Sequence, residues 1–125
     1  MTAVHSPGKV LVTGANGYIG MWIVRILLEQ GYIVRGAVRS QSKGKYLTSY
    51  FQQMGFGADK LEIVIVDDLT KQGAFDQAVQ GVDAIQHVAA PVDIEVSNPQ
   101  DFMKPAVQGT VGVLQSVFEH GNNVR

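Results

Sequence analysis

Cysteine is absent from the 125 residues, which removes disulfides, thiolate metal sites and cysteine nucleophiles together and favours a cytosolic protein. Any redox chemistry must come from a bound cofactor. An excess of charge of one sign is also lacking. Ten basic residues face 11 acidic ones, for a net charge of -1, so no broad positive field draws the chain to nucleic acid or anionic lipid. A basic site here has to be local. Long hydrophobic runs are missing as well. The most apolar stretch, 18–28, is interrupted by Arg25 and is too short to span a bilayer, and residues 1–8 lack the basic start and apolar stretch of a signal peptide. The expectation is a soluble, cytoplasmic protein without nucleic-acid or membrane partners.

What is present suffices for one core, since 46% of the residues are apolar and the length is that of a single domain. The run from Lys9 to Thr13 (KVLVT) is a short β-branched strand entering a glycine-rich turn. Apolar residues then recur at Ile19, Ile23, Ile26 and Leu27 until Gly31, which predicts a helix. A second strand is expected over 32–38, a helix over 43–54, a third strand over 61–66, a short helix over 72–79 and a fourth strand over 82–88. A last helix, from about Pro99 to His120, carries Ala106, Thr110, Val113, Leu114 and Val117 on one stripe, with Pro105 expected to bend it. Strands alternating with helices imply parallel strands buried on both faces. The fold class is therefore α/β, a Rossmann-type doubly wound parallel sheet occupying residues 1–125.

The strongest motif is Thr-Gly-Ala-Asn-Gly-Tyr-Ile-Gly at 13–20, placed between a strand and a helix. Glycines at 14, 17 and 20 permit a tight turn, close approach of backbone N–H groups to a pyrophosphate, and close packing of helix on strand. The helix N-terminus then faces the phosphates with unpaired donors and the positive end of its dipole. Gly14, Asn16, Gly17, Tyr18, Ile19 and Gly20 are accordingly the first candidate residues. The plainer alternative is an ordinary turn with a helix-packing glycine.

This G-x-x-G-x-x-G spacing resembles that of the extended short-chain dehydrogenase/reductases. GYIVRGAVRS, VDDLT, HVAAP at 87–91 and KPAVQGT at 104–110 narrow the resemblance to the dihydroflavonol reductase, cinnamoyl-CoA reductase and fungal aldehyde or methylglyoxal reductase group. It runs from Gly8 onward, and it implies the strand order 3-2-1-4 with truncation before a fifth strand. It is specific for the subfamily and silent on the carbonyl substrate.

The cofactor choice turns on the end of the second strand. An NAD site places a carboxylate there for the ribose hydroxyls, and an NADP site replaces it with cations. Here Arg39, nineteen residues beyond Gly20, follows Val38 with no carboxylate adjacent. An arginine can grip a 2'-phosphate with a fork of donors, and Lys43 can add a point charge, so NADP(H) is the expected cofactor. The alternative is that Arg39, Lys43 and Lys45 are solvated surface charges. The resemblance implies that Arg39 and Lys43 hold the 2'-phosphate, with Lys45 as a substitute, and that Asp68 and Leu69 lie by the adenine. Asp68 reads equally well as a helix cap before Thr70. Val88, Ala89 and Ala90 are small enough for backbone to meet the nicotinamide ribose. His87 beside them reads as a strand residue with a satisfied ring nitrogen.

Reductases of the group protonate the carbonyl oxygen with a tyrosine assisted by a lysine four residues later. None of Tyr18, Tyr32, Tyr46 and Tyr50 has lysine at that spacing, so no catalytic residue is assigned and no metal ligand either. The expectation is a nucleotide-binding portion whose complete form would reduce a carbonyl. The alternative is a free-standing dinucleotide-binding or interaction module without catalysis. Self-association is expected through the exposed edge of the fourth strand or through the last helix.

Overall fold

The computed structural model describes residues 3–89 and 98–125. Four strands, β1 (Lys9–Thr13), β2 (Ile33–Val38), β3 (Leu61–Ile65) and β4 (Ala84–His87), alternate with α1 (Tyr18–Glu29), α2 (Gln41–Gln53) and α3 (Pro99–His120). All strand pairs are parallel and the order is β3-β2-β1-β4, the order expected from the sequence. β1 is central, and Val10, Leu11, Val12 and Thr13 are all buried because helices or turns cover both faces.

Side-chain alternation along the strands separates two cores. Val10, Val12, Val34, Val38 and Leu61 pack with Val24 and Leu28 of α1 and with Leu47 and Phe51 of α2. Leu11, Ala37 and Val66 point the other way, onto Phe75, Ala78, Val79, Val82 and Val113 of α3. On that second face Arg35 donates from Nε to Glu62 at 3.0 Å and from Nη1 to the carbonyls of Ala78 and Gln80 at 2.8 and 2.6 Å. Lys9 Nζ meets the same Glu62 carboxylate at 2.6 Å. Hydrogen bonding from Lys9, with that from Arg35, holds the Glu62 carboxyl below its ordinary value.

Two expectations need correction. The short helix over 72–79 is instead a series of turns, near whose start Gly73 has φ +75, a left-handed conformation that a right-handed helix cannot include. Arg35 ties these turns to the sheet. In α3 the inward face is Gly109, Val113 and Ser116, with Ala106 and Val117 half-buried, whereas Thr110 and Leu114 turn to the outside. The phase is set by Gly109, where any Cβ would overlap Leu69 Cδ1, and by Ser116 Oγ, which donates to Asp76 Oδ1 at 2.7 Å. α3 runs through Pro105 as one helix.

Candidate dinucleotide site

The C-terminal ends of the parallel strands open onto a cleft of about 330 Å³, within the range typical of small-molecule sites. The glycine loop forms one wall. Gly14 has φ +65, and a Cβ there would stand 3.1 Å from the backbone of Ala89, so a side chain is excluded by conformation and by space together. A Cβ at Gly20 would overlap the Gly14 carbonyl oxygen, whereas one at Gly17 would meet only that oxygen, at 3.3 Å. Gly20 therefore sets how closely α1 approaches the loop. Gly17 leaves space open above it.

α1 begins at Tyr18 with Gly17 as its N-cap, and no side chain caps it. The first N–H groups of a helix have no partner within it, and Tyr18, Ile19 and Gly20 line the cleft. That end of α1 offers backbone donors and a positive dipole end to whatever occupies the cleft. On the opposite side lie Ala37, Val38 and Arg39 from the end of β2, Val66, Leu69 and Phe75 from beyond β3, and Val88 and Ala89 from beyond β4.

Of the residues singled out from the sequence, Gly14, Asn16, Gly17, Tyr18, Ile19, Gly20, Arg39, Leu69, Val88 and Ala89 share this lining. Lys43 does not. It stands exposed in the first turn of α2, where its backbone N–H donates to the capping Ser40 hydroxyl at 3.4 Å. Asp68 also lies outside the lining. Its Oδ1 accepts from the Thr70 hydroxyl at 2.6 Å and the Thr70 N–H at 3.0 Å. The Thr70 hydroxyl, and then its backbone N–H, are the main reasons its carboxyl titrates below the ordinary value, with the charges of Arg39 and Lys71 adding to them. The carboxylate closes a side-chain turn with no helix after it, so the helix-cap alternative fails in its literal form. Ala90 lies outside the described residues.

A profile of the family described as GDP-mannose 4,6 dehydratase matches residues 11–125. The chain belongs to that family. Relatives of this GDP-mannose 4,6-dehydratase family member include the ketoreductase CTB6 of Cercospora nicotianae, 41% identical over 119 residues that cover 90% of this chain and 33% of the relative. The dihydroflavonol 4-reductase of Callistephus chinensis is 38% identical over 112 residues, covering 89% and 30%. Among solved structures, Gre2 of Candida albicans in complex with NADPH superposes with a TM-score of 0.85 at 36% identity, covering 95% of this chain and 35% of that one. The chain spans about a third of the length of the relatives it matches. These relatives bear out the resemblance to dihydroflavonol and fungal reductases within the extended short-chain dehydrogenase/reductases.

In this GDP-mannose 4,6-dehydratase family chain one polar group of the site escaped the sequence reading. Thr13 is fully buried, and its hydroxyl oxygen lies 2.8 Å from His87 Nδ1 while accepting from the N–H groups of Val88 and Ala89 at 2.9 and 3.0 Å. The missing signal was the strand register, which sets Thr13 opposite His87. His87 has a satisfied ring nitrogen, as expected, and burial lowers its pKa. Val66, read as the end of the third strand, and Phe75, read within a helix, were likewise not singled out as lining. Away from the cleft, Asp76, Glu119 and His120 gather at the end of α3. His120 Nε2 stands 3.6 Å from Asp76 and 3.7 Å from Glu119. Among the described residues no helix is long and apolar enough to cross a membrane.

Proposed function

We propose that this chain holds NADPH in the cleft, as the dinucleotide-binding portion of a reductase acting on a carbonyl. The carrying observation is that the uncapped N-terminus of α1, the glycine loop and Arg39 stand on one cleft. Tyr18, Ile19 and Gly20 would present first-turn N–H groups to the pyrophosphate, with Gly17 leaving it space. Arg39, aided by Lys43, would grip the 2'-phosphate, Leu69 and Asp68 would flank the adenine, and Val88, Ala89 and Ala90 would meet the nicotinamide ribose. When bound, the nicotinamide supplies a hydride. No tyrosine in these 125 residues is followed four positions later by lysine, so the proton donor such reductases use is not among them. Similarity to the Gre2–NADPH complex and to named ketoreductases supports this reading. The lack of cysteine fits a cytosolic setting.

Calorimetric titration with NADPH and NADH is the test. NADPH is expected to bind more tightly, and Arg39→Ala to weaken NADPH by about 1.5–3 kcal/mol while leaving NADH unaffected. Equal affinity of the wild-type chain for both nucleotides would overturn the assignment.

A second observation favours self-association. Met103, Val107, Val111, Leu114 and Phe118 are exposed along the outside of α3 at spacings of three and four, a continuous apolar stripe. β4 stands at the sheet edge. We infer that copies of the chain pair through this helix or this edge.

A further inference from the structure

The Thr13 hydroxyl has three nitrogen neighbours, His87 Nδ1 and the backbone nitrogens of Val88 and Ala89. It has one hydrogen to give and two lone pairs to fill. The two backbone N–H groups can only donate, so they take both lone pairs, and the hydroxyl hydrogen goes to His87 Nδ1. This count assigns His87 the neutral form with its proton on Nε2. A proton added at Nδ1 would confront the hydroxyl with three donors for two acceptor sites. One of the bonds to Val88, Ala89 or His87 must then break.

We propose that His87 is a positioning residue of the cleft: neutral, it locks the Val88–Ala89 backbone through Thr13, and protonated, it releases that strand end. The locked segment is the one Gly14 approaches most closely, since a Cβ on Gly14 would lie 3.1 Å from both the nitrogen and the Cα of Ala89. Displacement at Ala89 is therefore felt at the glycine loop. Among the described residues, Thr13 of β1 and the Phe75 ring, edge-on at 6.2 Å, pack against the imidazole. Neither is charged, and burial is the cause of its lowered pKa. The release thus belongs to the acidic side of the ordinary histidine range. Its consequence for binding rests on the dinucleotide reading, whereas the lock itself does not.

Nitrogen NMR of the labelled chain between about pH 8 and about pH 5 tests the lock directly. His87 is expected to carry its proton on Nε2 at the upper end, and the Val88 and Ala89 amide resonances to move with the His87 midpoint. NADP⁺ affinity over the same range is expected to fall about five- to tenfold more in the wild type than in His87→Asn. The asparagine carbonyl can accept in place of Nδ1 but does not titrate, and the 2'-phosphate's own titration near about pH 6 is common to both proteins. In Thr13→Val, which keeps the shape and removes the hydroxyl, the two amides are expected to stop tracking His87. A proton on Nδ1 near neutrality, or amides that respond equally in His87→Asn or Thr13→Val, would overturn the proposal. The predicted tautomer and amide response without NADP⁺ binding would uphold the lock and overturn the nucleotide assignment instead.

Discussion

On one face of the sheet Val10, Val12, Val34 and Val38 sink beneath two helices, and Phe51 and Leu47 complete a continuous apolar layer. On the other, Leu11 and Ala37 meet a run of turns and one helix, and a charged network of Lys9, Glu62 and Arg35 holds those turns in place. The first face is closed chiefly by hydrophobic burial. The second depends on specific polar contacts, and it supplies Val66, Leu69 and Phe75 to the cleft. Val38 alone among the named residues of the first core also lines the cleft, so away from it stability and ligand shape are separable: a change at Phe51 should weaken the fold alone, and one at Phe75 should alter the site as well.

The sharpest way to break that comparison is to truncate one phenylalanine on each face. Phe51→Ala and Phe75→Ala should each destabilise the chain by about 3–5 kcal/mol, since both rings are fully buried. Denaturant unfolding combined with NADPH titration separates them, because only Phe75→Ala should also weaken binding of the nucleotide to the molecules that remain folded. Equal effects on binding would show that the faces are not independent.

Acid should act on the second face in two stages. His87 is held below its ordinary value, so the unfolded chain takes up that proton first. Its contribution to stability is present above about pH 6.5 and is lost as pH falls from there toward the folded-state value. Glu62 is also lowered, so its contribution is present above about pH 4.3 and fades below it. Urea midpoints measured against pH should show the earlier decline in the wild type and not in His87→Asn. A single decline near the carboxylate range in both proteins would remove His87 from the account.

The smallest expected effect on folding is outside both cores. Leu114→Lys on the exposed stripe of α3 should change stability by no more than about 0.5 kcal/mol, yet shift the chain toward monomer in light scattering across a dilution series. Unchanged mass would exclude the α3 stripe as the pairing surface.

Much of this architecture is legible in the sequence, for identifiable reasons. The β1–α1 unit reads cleanly because β-branched residues, three glycines and a 3.6-residue periodicity agree with one another. Strand order followed from the alternation of strands and helices with the family resemblance. The turns over 72–79 did not read correctly, because their apolar spacing mimics a helix and the left-handed backbone of Gly73 does not show in it. Leu114 was placed on one stripe with Val113 and Val117 since hydropathy alone cannot show that Gly109 and Ser116 fix the helix phase. Thr13 went unnoticed for a different reason: its partners lie 74 to 76 residues away, and only the pairing of β1 with β4 brings them together.

The central claim is that the glycine loop and the free end of α1 hold a dinucleotide, and Gly17→Val addresses it most directly. Gly17 has φ -75 and ψ 169, a backbone any residue adopts, and a Cβ there meets only the Gly14 oxygen at 3.3 Å, so the variant should fold with an unchanged circular dichroism spectrum. In a nucleotide fluorescence titration the wild-type chain is expected to bind NADPH saturably and the folded variant to show no binding, because the branched side chain fills the space left for the pyrophosphate. A folded Gly17→Val that binds NADPH as well as the wild type would contradict the account and reduce the loop to a turn.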